Sequence, residues 1–259
     1  MEPSDLTSYL DVAQMTLYAF FAFFVVLVLY LRREDKREGY PLLSDRSGRV
    51  RVQGFPGIPE PKRFVMPEGH VSYAPETVKE IPRTGLRPLA AWPGAPMVPT
   101  GNPLVDGVGP AAWANRRDEP EVTWEGEPAI QPLSLVDGTF VDPHDRSPIG
   151  MPVIAADGVS PGTVREIWTD RSEPQIRYLE LDVPSADAGK GPVLLPMGFA
   201  RIDVRRGVVR VKALLARQFA DVPRTRNRDT ITKLEEDKIT AYFAGGHLYA
   251  TPARLGPVL

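Results

Sequence analysis

The stretch Val12-Ala-Gln-Met-Thr-Leu-Tyr-Ala-Phe-Phe-Ala-Phe-Phe-Val-Val-Leu-Val-Leu-Tyr-Leu31 contains no charged residue and is almost wholly apolar. Twenty residues in an α-helix rise about 30 Å, which is the thickness of one hydrocarbon core. Tyr18 and Tyr30 lie near its two ends, as is typical of aromatic residues at membrane interfaces. The stretch therefore predicts a single transmembrane helix over residues 12–31.

A cleaved signal peptide is the competing interpretation of this stretch. It would need a basic region before the apolar run and a small-residue cleavage site after it. Here the preceding charged residues are acidic, and Arg32, Arg33, Lys36 and Arg37 follow the run. By the positive-inside rule we expect residues 1–11 in the periplasm and the rest of the chain in the cytoplasm, as in a single-pass protein of a bacterial inner membrane.

Composition excludes several classes of function. The chain has 31 basic and 33 acidic residues and no basic stripe, so nucleic acid is not expected as a partner. It has no cysteine, which rules out disulfides, thiolate catalysis and cysteine-based metal sites. The three histidines, His70, His144 and His247, lack the spacing of metal ligands, so no metal site is predicted.

Proline marks a segment of different character between the helix and the C-terminal half. The chain has 28 prolines, and those between Pro41 and Pro132 are too dense for one helical or sheet domain. Residues 32–130 are therefore predicted as an extended, Pro-rich surface segment. It could be a disordered linker, but spaced apolar residues favour a segment that becomes ordered along a partner. Those residues are Phe55, Phe64, Val65, Leu89, Trp92, Met97, Val98, Leu104, Val108 and Trp113.

From Gly150 the pattern changes to short apolar runs separated by turns. In the run Ile176–Val183, the side chains of Leu179, Leu181 and Val183 share one face, which predicts a half-buried antiparallel strand. Five or six such runs within about 65 residues predict a small closed or nearly closed β-barrel. The predicted strands are Gly162–Asp170, Ile176–Val183, Val193–Met197, Ala200–Val204 and Val208–Ala213.

A C-terminal helix is predicted over about 232–244. Thr232 and Glu235 have the spacing of a capping box, the acidic residues at the helix start suit the positive end of its dipole, and Gly245-Gly246 marks the end. The apolar stripe consists of Ile239, Tyr242 and Phe243. Residues 131–259 are thus predicted as a mainly β cytoplasmic domain completed by a capping helix.

Four stretches resemble the H subunit of purple-bacterial photosynthetic reaction centres. They are Tyr30–Leu42, Pro99–Trp113, Ile167–Glu180 and Leu234–Ala250. They are long, follow the order found in the family and span nearly the whole chain. Residues 43–100 and 121–150 match least, so little is carried over to them.

This resemblance implies one membrane helix, an extended surface segment and a PRC-type β-barrel. It implies a structural, proton-conducting subunit rather than an enzyme, bound to the L and M subunits. In this family L and M carry bacteriochlorophyll, bacteriopheophytin, quinones and non-haem iron, and the H subunit binds no redox cofactor. Membrane lipids, a cytochrome subunit and a light-harvesting antenna are further partners that it implies.

The resemblance also implies two tasks, which are excluding water from the quinone sites and conducting protons to the secondary quinone. Family positions that line the proton route match Asp170, Glu173 and Arg177. From the residues alone, this group could equally be a solvated turn with a surface ion pair. A second acidic group that could gather protons consists of Glu121, Glu125 and Glu127; some relatives have histidines near it, whereas this chain has none between His70 and His144.

Without the resemblance, the same features would fit a membrane-anchored adaptor that uses a β-barrel as a protein-binding module. An enzyme is less well supported, because the sequence has no phosphate-binding loop, nucleophile elbow or metal motif. Purification separates the first two hypotheses. A pigmented complex with two further hydrophobic subunits indicates the reaction centre, and a colourless chain indicates an adaptor.

Overall fold

The computed structural model describes residues 11–38, 54–66, 69–75, 85–92, 94–173, 175–184 and 191–255. The chain divides into two compact units. The first comprises Met1–Lys79 with Ala91–Ala95, and the second comprises Glu80–Ala90 with Pro96–Leu259. The first contains the apolar helix, and the second contains the large β-sheet.

Helix α1 spans Val12–Asp35 and is the one described helix long and apolar enough to cross a membrane. Its apolar part has a mean hydropathy of 2.3, and none of that part is buried within the chain. The predicted span 12–31 lies inside the helix, which continues for one charged turn. Glycine and proline are typical helix-ending residues, and the sequence therefore predicts that the helix stops at Gly39 and Pro41, which lie outside the described residues.

The chain just after α1 folds back on the end of the helix. Lys36 is buried, and its Nζ donates hydrogen bonds to the carbonyl oxygens of Pro56 at 2.7 Å and Gly54 at 3.4 Å. Glu34 forms ion pairs with Arg37 and Lys62, both at 2.8 Å. Strands β1 (Lys62–Val65) and β2 (Val71–Ala74) follow as an antiparallel pair.

The second unit begins with two more short strands, β3 (Leu86–Pro88) and β4 (Met97–Pro99), and the four-residue helix α2 (Pro103–Asp106). A 3-10 turn at Gly109–Ala111 follows. The predicted surface segment runs to residue 130, but the structure buries part of it in this unit. Leu104, Val108 and Ala111 are buried, because small residues of the C-terminal helix let this backbone approach closely.

A seven-stranded sheet forms the centre of the second unit. Its strand order is β10–β11–β6–β7–β8–β9, with β5 paired to β7. Only β6 and β11 run parallel; the other pairs are antiparallel. The strands are β5 (Ile130–Pro132), β6 (Pro152–Ile154), β7 (Gly162–Asp170), β8 (Gln175–Asp182), β9 (Val193–Pro196), β10 (Ala200–Asp203) and β11 (Val208–Val211).

The five predicted strands correspond to β7–β11, and the bounds of β7 agree residue for residue. Within the described residues the sheet is not closed by pairing of its two end strands, β10 and β9. Leu179 and Leu181 are buried on one face of β8, as predicted. The core of the sheet includes Val153, Ile167, Trp168, Leu179, Leu194, Leu195, Val209 and Leu214.

Helix α3 spans Lys233–Tyr249 and begins with the predicted capping box, in which Thr232 and Glu235 each accept a backbone N–H from the other residue. The helix continues past Gly245–Gly246, the pair that the sequence predicts as its end. A Cβ on Gly245 would lie 2.5 Å from Cβ of Ala111, so this glycine provides room for close packing rather than a helix stop.

Candidate functional site

Three segments meet at one end of the sheet and are joined by main-chain hydrogen bonds. The N–H of Ala129 donates to the carbonyl of Glu121, and the N–H of Arg171 donates to the carbonyl of Ala129, both at 2.8 Å. Pro120 forms a β-bridge with Thr232 at the start of α3. The hairpin 120–129, the turn after β7 and the start of α3 therefore form one site. We call residues 116–129, 170–173, 175–178 and 232–237 the barrel-end site.

Asp170 shapes the turn that follows β7. It is only 8% exposed, and its Oδ1 accepts the backbone N–H of Ser172 at 2.9 Å and that of Glu173 at 3.3 Å. The Glu173 carboxylate is exposed and accepts a hydrogen bond from Nε2 of Gln175 at 3.2 Å. Asp170 therefore holds the turn, whereas Glu173 offers its carboxylate outward.

Glu236 is one of two buried carboxylates at the start of α3, and like Glu235 it is 7% exposed. The buried hydroxyl of Tyr178 donates a hydrogen bond to Glu236 Oε2 at 2.9 Å. Nη2 of Arg177 lies 3.7 Å from the same oxygen. These contacts cross from β8 to α3, so they link the strand after the turn with the helix.

Burial raises the pKa of Glu236, and the negative charge of Glu121 raises it further. The Tyr178 hydrogen bond and the charges of Arg177 and Arg116 act in the opposite direction. Burial, followed by the charge of Glu236, raises the pKa of Tyr178, so its hydroxyl stays protonated and acts as a donor. The site therefore contains a carboxyl group whose proton is bound more tightly than in water.

Three successive carboxylates at the start of α3 have three different contacts. Glu235 completes the capping box and accepts the N–H of Arg226 at 2.8 Å. Asp237 accepts the N–H of Ala114 at 2.7 Å and so fixes the chain just before Arg116. Glu236 alone of the three is directed at β8, because successive helical residues point about 100° apart.

The hairpin brings the second predicted acidic group to the same site. Its turn is closed by the N–H of Thr123, which donates to the carbonyl of Glu127 at 2.7 Å. The carboxylates of this group are exposed and alternate with apolar side chains, of which Trp124 is fully exposed and Val122 is 55% exposed. The acidic residues of this group are Glu121, Glu125 and Glu127.

Main-chain hydrogen bonds thus join the segments that carry the two predicted acidic groups. The expected grouping of Arg177 with the carboxylates of the turn takes a different form. In the part of the chain that is described, Arg177 pairs with Glu236 rather than with Asp170 or Glu173. Glu236 and Tyr178 were not among the residues that the sequence indicated for this site. One sequence signal could have indicated Glu236. Glu235 completes the capping box, so the two acidic residues that follow it must point elsewhere.

Comparison with known families assigns the chain. Residues 4–135 match the family described as photosynthetic reaction centre, H-chain N-terminal region. The chain belongs to the reaction-centre H-subunit family. Residues 144–218 of this H subunit match the PRC-barrel domain, which covers most of the large sheet and confirms the predicted fold class.

Family membership places this H subunit in association with the reaction-centre complex of L and M. It is a structural subunit, which is consistent with the prediction that the chain is not an enzyme. Helix α1, as the one candidate span among the described residues, fits a single-pass membrane protein. The hypothesis of an unrelated membrane-anchored adaptor is therefore replaced by the reaction-centre assignment.

Proposed function

We propose that this H subunit caps the L and M subunits on the cytoplasmic side, shields the quinone sites from water and conducts protons to the secondary quinone. The pigments, quinones and non-haem iron are held by L and M in this proposal, and the H chain holds none. The observation that carries it is the barrel-end site, where the segments that carry two acidic groups and Arg177 are joined beside exposed apolar side chains.

Exposed apolar residues support the capping role. Trp124 is fully exposed, and Phe140 is 74% exposed in the same unit. Burying a large aromatic side chain in an interface stabilises a complex by on the order of 3 kcal/mol. In the other unit, Phe55 is 85% exposed and Trp92 is 58% exposed. Side chains of this kind are suited to contact with apolar partner subunits.

The arrangement of carboxylates supports the proton-conducting role. A quinone reduced to a quinol takes up two protons, and a site closed to bulk water must receive them through ionisable groups and ordered water. Glu121, Glu125 and Glu127 are exposed and suited to collect protons. Main-chain hydrogen bonds connect their hairpin to the turn of Asp170 and Glu173. Arg177 provides a nearby positive charge.

The charges beside α1 support the orientation required for this role. Arg32, Arg33, Lys36 and Arg37 all follow the apolar run, and no basic residue precedes it. The N-terminus then faces the periplasm, and the barrel lies in the cytoplasm beneath the membrane.

The test uses the assembled complex carrying Asp170→Asn and Glu173→Gln together. Both changes replace a carboxylate with an amide of nearly the same shape. We expect the proton-coupled second electron transfer to the secondary quinone to slow, while primary charge separation stays unchanged because it occurs in L and M. Flash spectroscopy measures both steps.

Asp182→Asn is the matched control, since Asp182 is an exposed carboxylate at the far end of β8. It should leave both steps unchanged. Wild-type kinetics of the second electron transfer in the double variant, from neutral to alkaline pH, would reduce the turn to a structural element and contradict the proposed proton route.

A further inference from the structure

The proposed route uses exposed carboxylates and leaves one buried acidic group without a task. Glu236 is only 7% exposed, although it lies in the first turn of α3, where the preceding residue, Glu235, already completes the capping box with Thr232. A buried carboxylate costs stability unless it is paired and hydrogen-bonded.

The surroundings of Glu236 suit a group that changes its charge. On β8 the hydroxyl of Tyr178 lies 2.9 Å from Oε2, and the guanidinium of Arg177 lies 3.7 Å from the same atom. On the segment before the sheet, Glu121 and Arg116 are close enough for their charges to act on Glu236. On α3 itself, Glu235 and Asp237 are engaged with the backbone N–H groups of other residues. Glu236 thus faces two positive groups, one negative group and one hydroxyl donor.

We propose that Glu236 is a further proton-transfer group of the H subunit, lying where α3 meets β8 and within reach of the charge of Glu121 on the acidic hairpin. The proposal rests on the proton-conducting function proposed above. It is carried by the geometry, which places a buried carboxyl where the three segments of the barrel-end site meet. Tyr178 and Arg177 are positioning residues that hold the carboxylate.

Only O–H bonds change in the step. Glu236 takes a proton from the side of Glu121, which neutralises the buried carboxylate. It releases that proton when the quinone site draws one, and the carboxylate that remains is held by the Tyr178 hydroxyl and the Arg177 charge. Tyr178 keeps its own proton throughout, and no oxidant or reductant is needed.

The test is Glu236→Gln in the assembled reaction centre, with two readouts. Proton uptake that accompanies formation of the secondary semiquinone is followed with a pH-sensitive dye, and the second electron transfer is followed by flash spectroscopy across pH. We expect a severalfold slower second electron transfer, loss of one titration step from its pH profile and reduced proton uptake. Glu166→Gln is the matched control, because Glu166 lies on β7 and its carboxylate accepts the N–H of Ile167 at 2.8 Å. It should leave all three unchanged.

The outcomes separate this inference from the proposed function. A wild-type pH profile and wild-type proton uptake in Glu236→Gln, with slowed kinetics in Asp170→Asn/Glu173→Gln, would overturn the inference alone. Wild-type kinetics in both would overturn both. If Glu236→Gln does not assemble, Glu236→Asp retains a titrating carboxyl on a shorter side chain. That variant should move the titration step without abolishing it, and an unmoved step would overturn the proposal.

Discussion

Replacing Tyr178 with Phe removes one hydroxyl from the barrel-end site and leaves the ring in place. The ring is 3% exposed, and its hydroxyl is 2.9 Å from Glu236 Oε2. A hydrogen bond to a charged group is worth about 1.5–3 kcal/mol, roughly twice one between neutral groups. Without the hydroxyl, the ionised form of Glu236 loses about 1 kcal/mol more stabilisation than the protonated form. Glu236 therefore binds its proton about fivefold more tightly in the variant.

The sign of the pH dependence follows from this difference. Burial makes the pKa of Glu236 higher in the folded chain than in the unfolded chain. The contribution of Glu236 to stability is therefore greatest below its pKa in the unfolded chain, and it is lost as pH rises through its pKa in the folded chain. Tyr178→Phe raises the pKa of Glu236 in the folded chain further, so this loss of stability extends to higher pH. Thermal unfolding of the full chain in detergent across pH measures this, and the pH profile of second electron transfer in the complex should move the same way.

Tyr242→Phe is the matched control for this experiment. Tyr242 is also a buried tyrosine, and its hydroxyl donates to a neutral acceptor, the carbonyl of Gln218, at 2.9 Å. The Tyr242→Phe variant should therefore be less stable than the wild type by about 0.5–1.5 kcal/mol at every pH. If the two variants show the same pH dependence, the hydrogen bond to Glu236 does not favour its ionised form, and the electrostatic reasoning fails.

Two further predictions concern helix packing and topology. Gly245→Ala should lower the free energy of unfolding by about 1 kcal/mol, since overpacking costs about 1–3 kcal/mol and alanine regains roughly 1 kcal/mol of helix propensity. Gly198→Ala is the control, because a Cβ at position 198 would lie in open space. Equal unfolding curves for the two variants would contradict the packing argument. Protease added to inside-out vesicles should digest the chain beyond Arg37; digestion that requires access from the periplasmic side would reverse the predicted orientation.

Local patterns predicted the larger elements of the fold well. The apolar run after Val12 fixes a helix by its length, and the alternation around Leu179 fixes a strand by its period. Strands β5 (Ile130–Pro132) and β6 (Pro152–Ile154) escaped prediction because each has three residues and contains proline. Strand β5 pairs with β7 and β6 pairs with β11, and both partners are distant in sequence, so no local pattern records these pairings.

The candidate site was only partly predictable for a similar reason. Asp170, Glu173 and Arg177 are close in sequence, so a turn was enough to group them. The link to Glu121 depends on the backbone of Ala129, and the link to Glu236 depends on where α3 lies on the sheet. Gly245 illustrates the same limit, because a glycine that permits close packing looks in sequence like a glycine that ends a helix.

Backbone hydrogen bonds determine the shape of the barrel-end site, whereas its charge is determined by side chains. The bonds that join hairpin, turn and helix are backbone N–H to carbonyl contacts at Glu121, Ala129 and Arg171, together with one from Lys233 to Glu119 at 3.0 Å. Substituting a titrating side chain leaves these contacts in place, except at Asp170, whose carboxylate itself caps the turn. The electrostatic properties of the hairpin can therefore be redesigned residue by residue on a constant scaffold, so its acidic positions could carry other ionisable groups with different proton affinities.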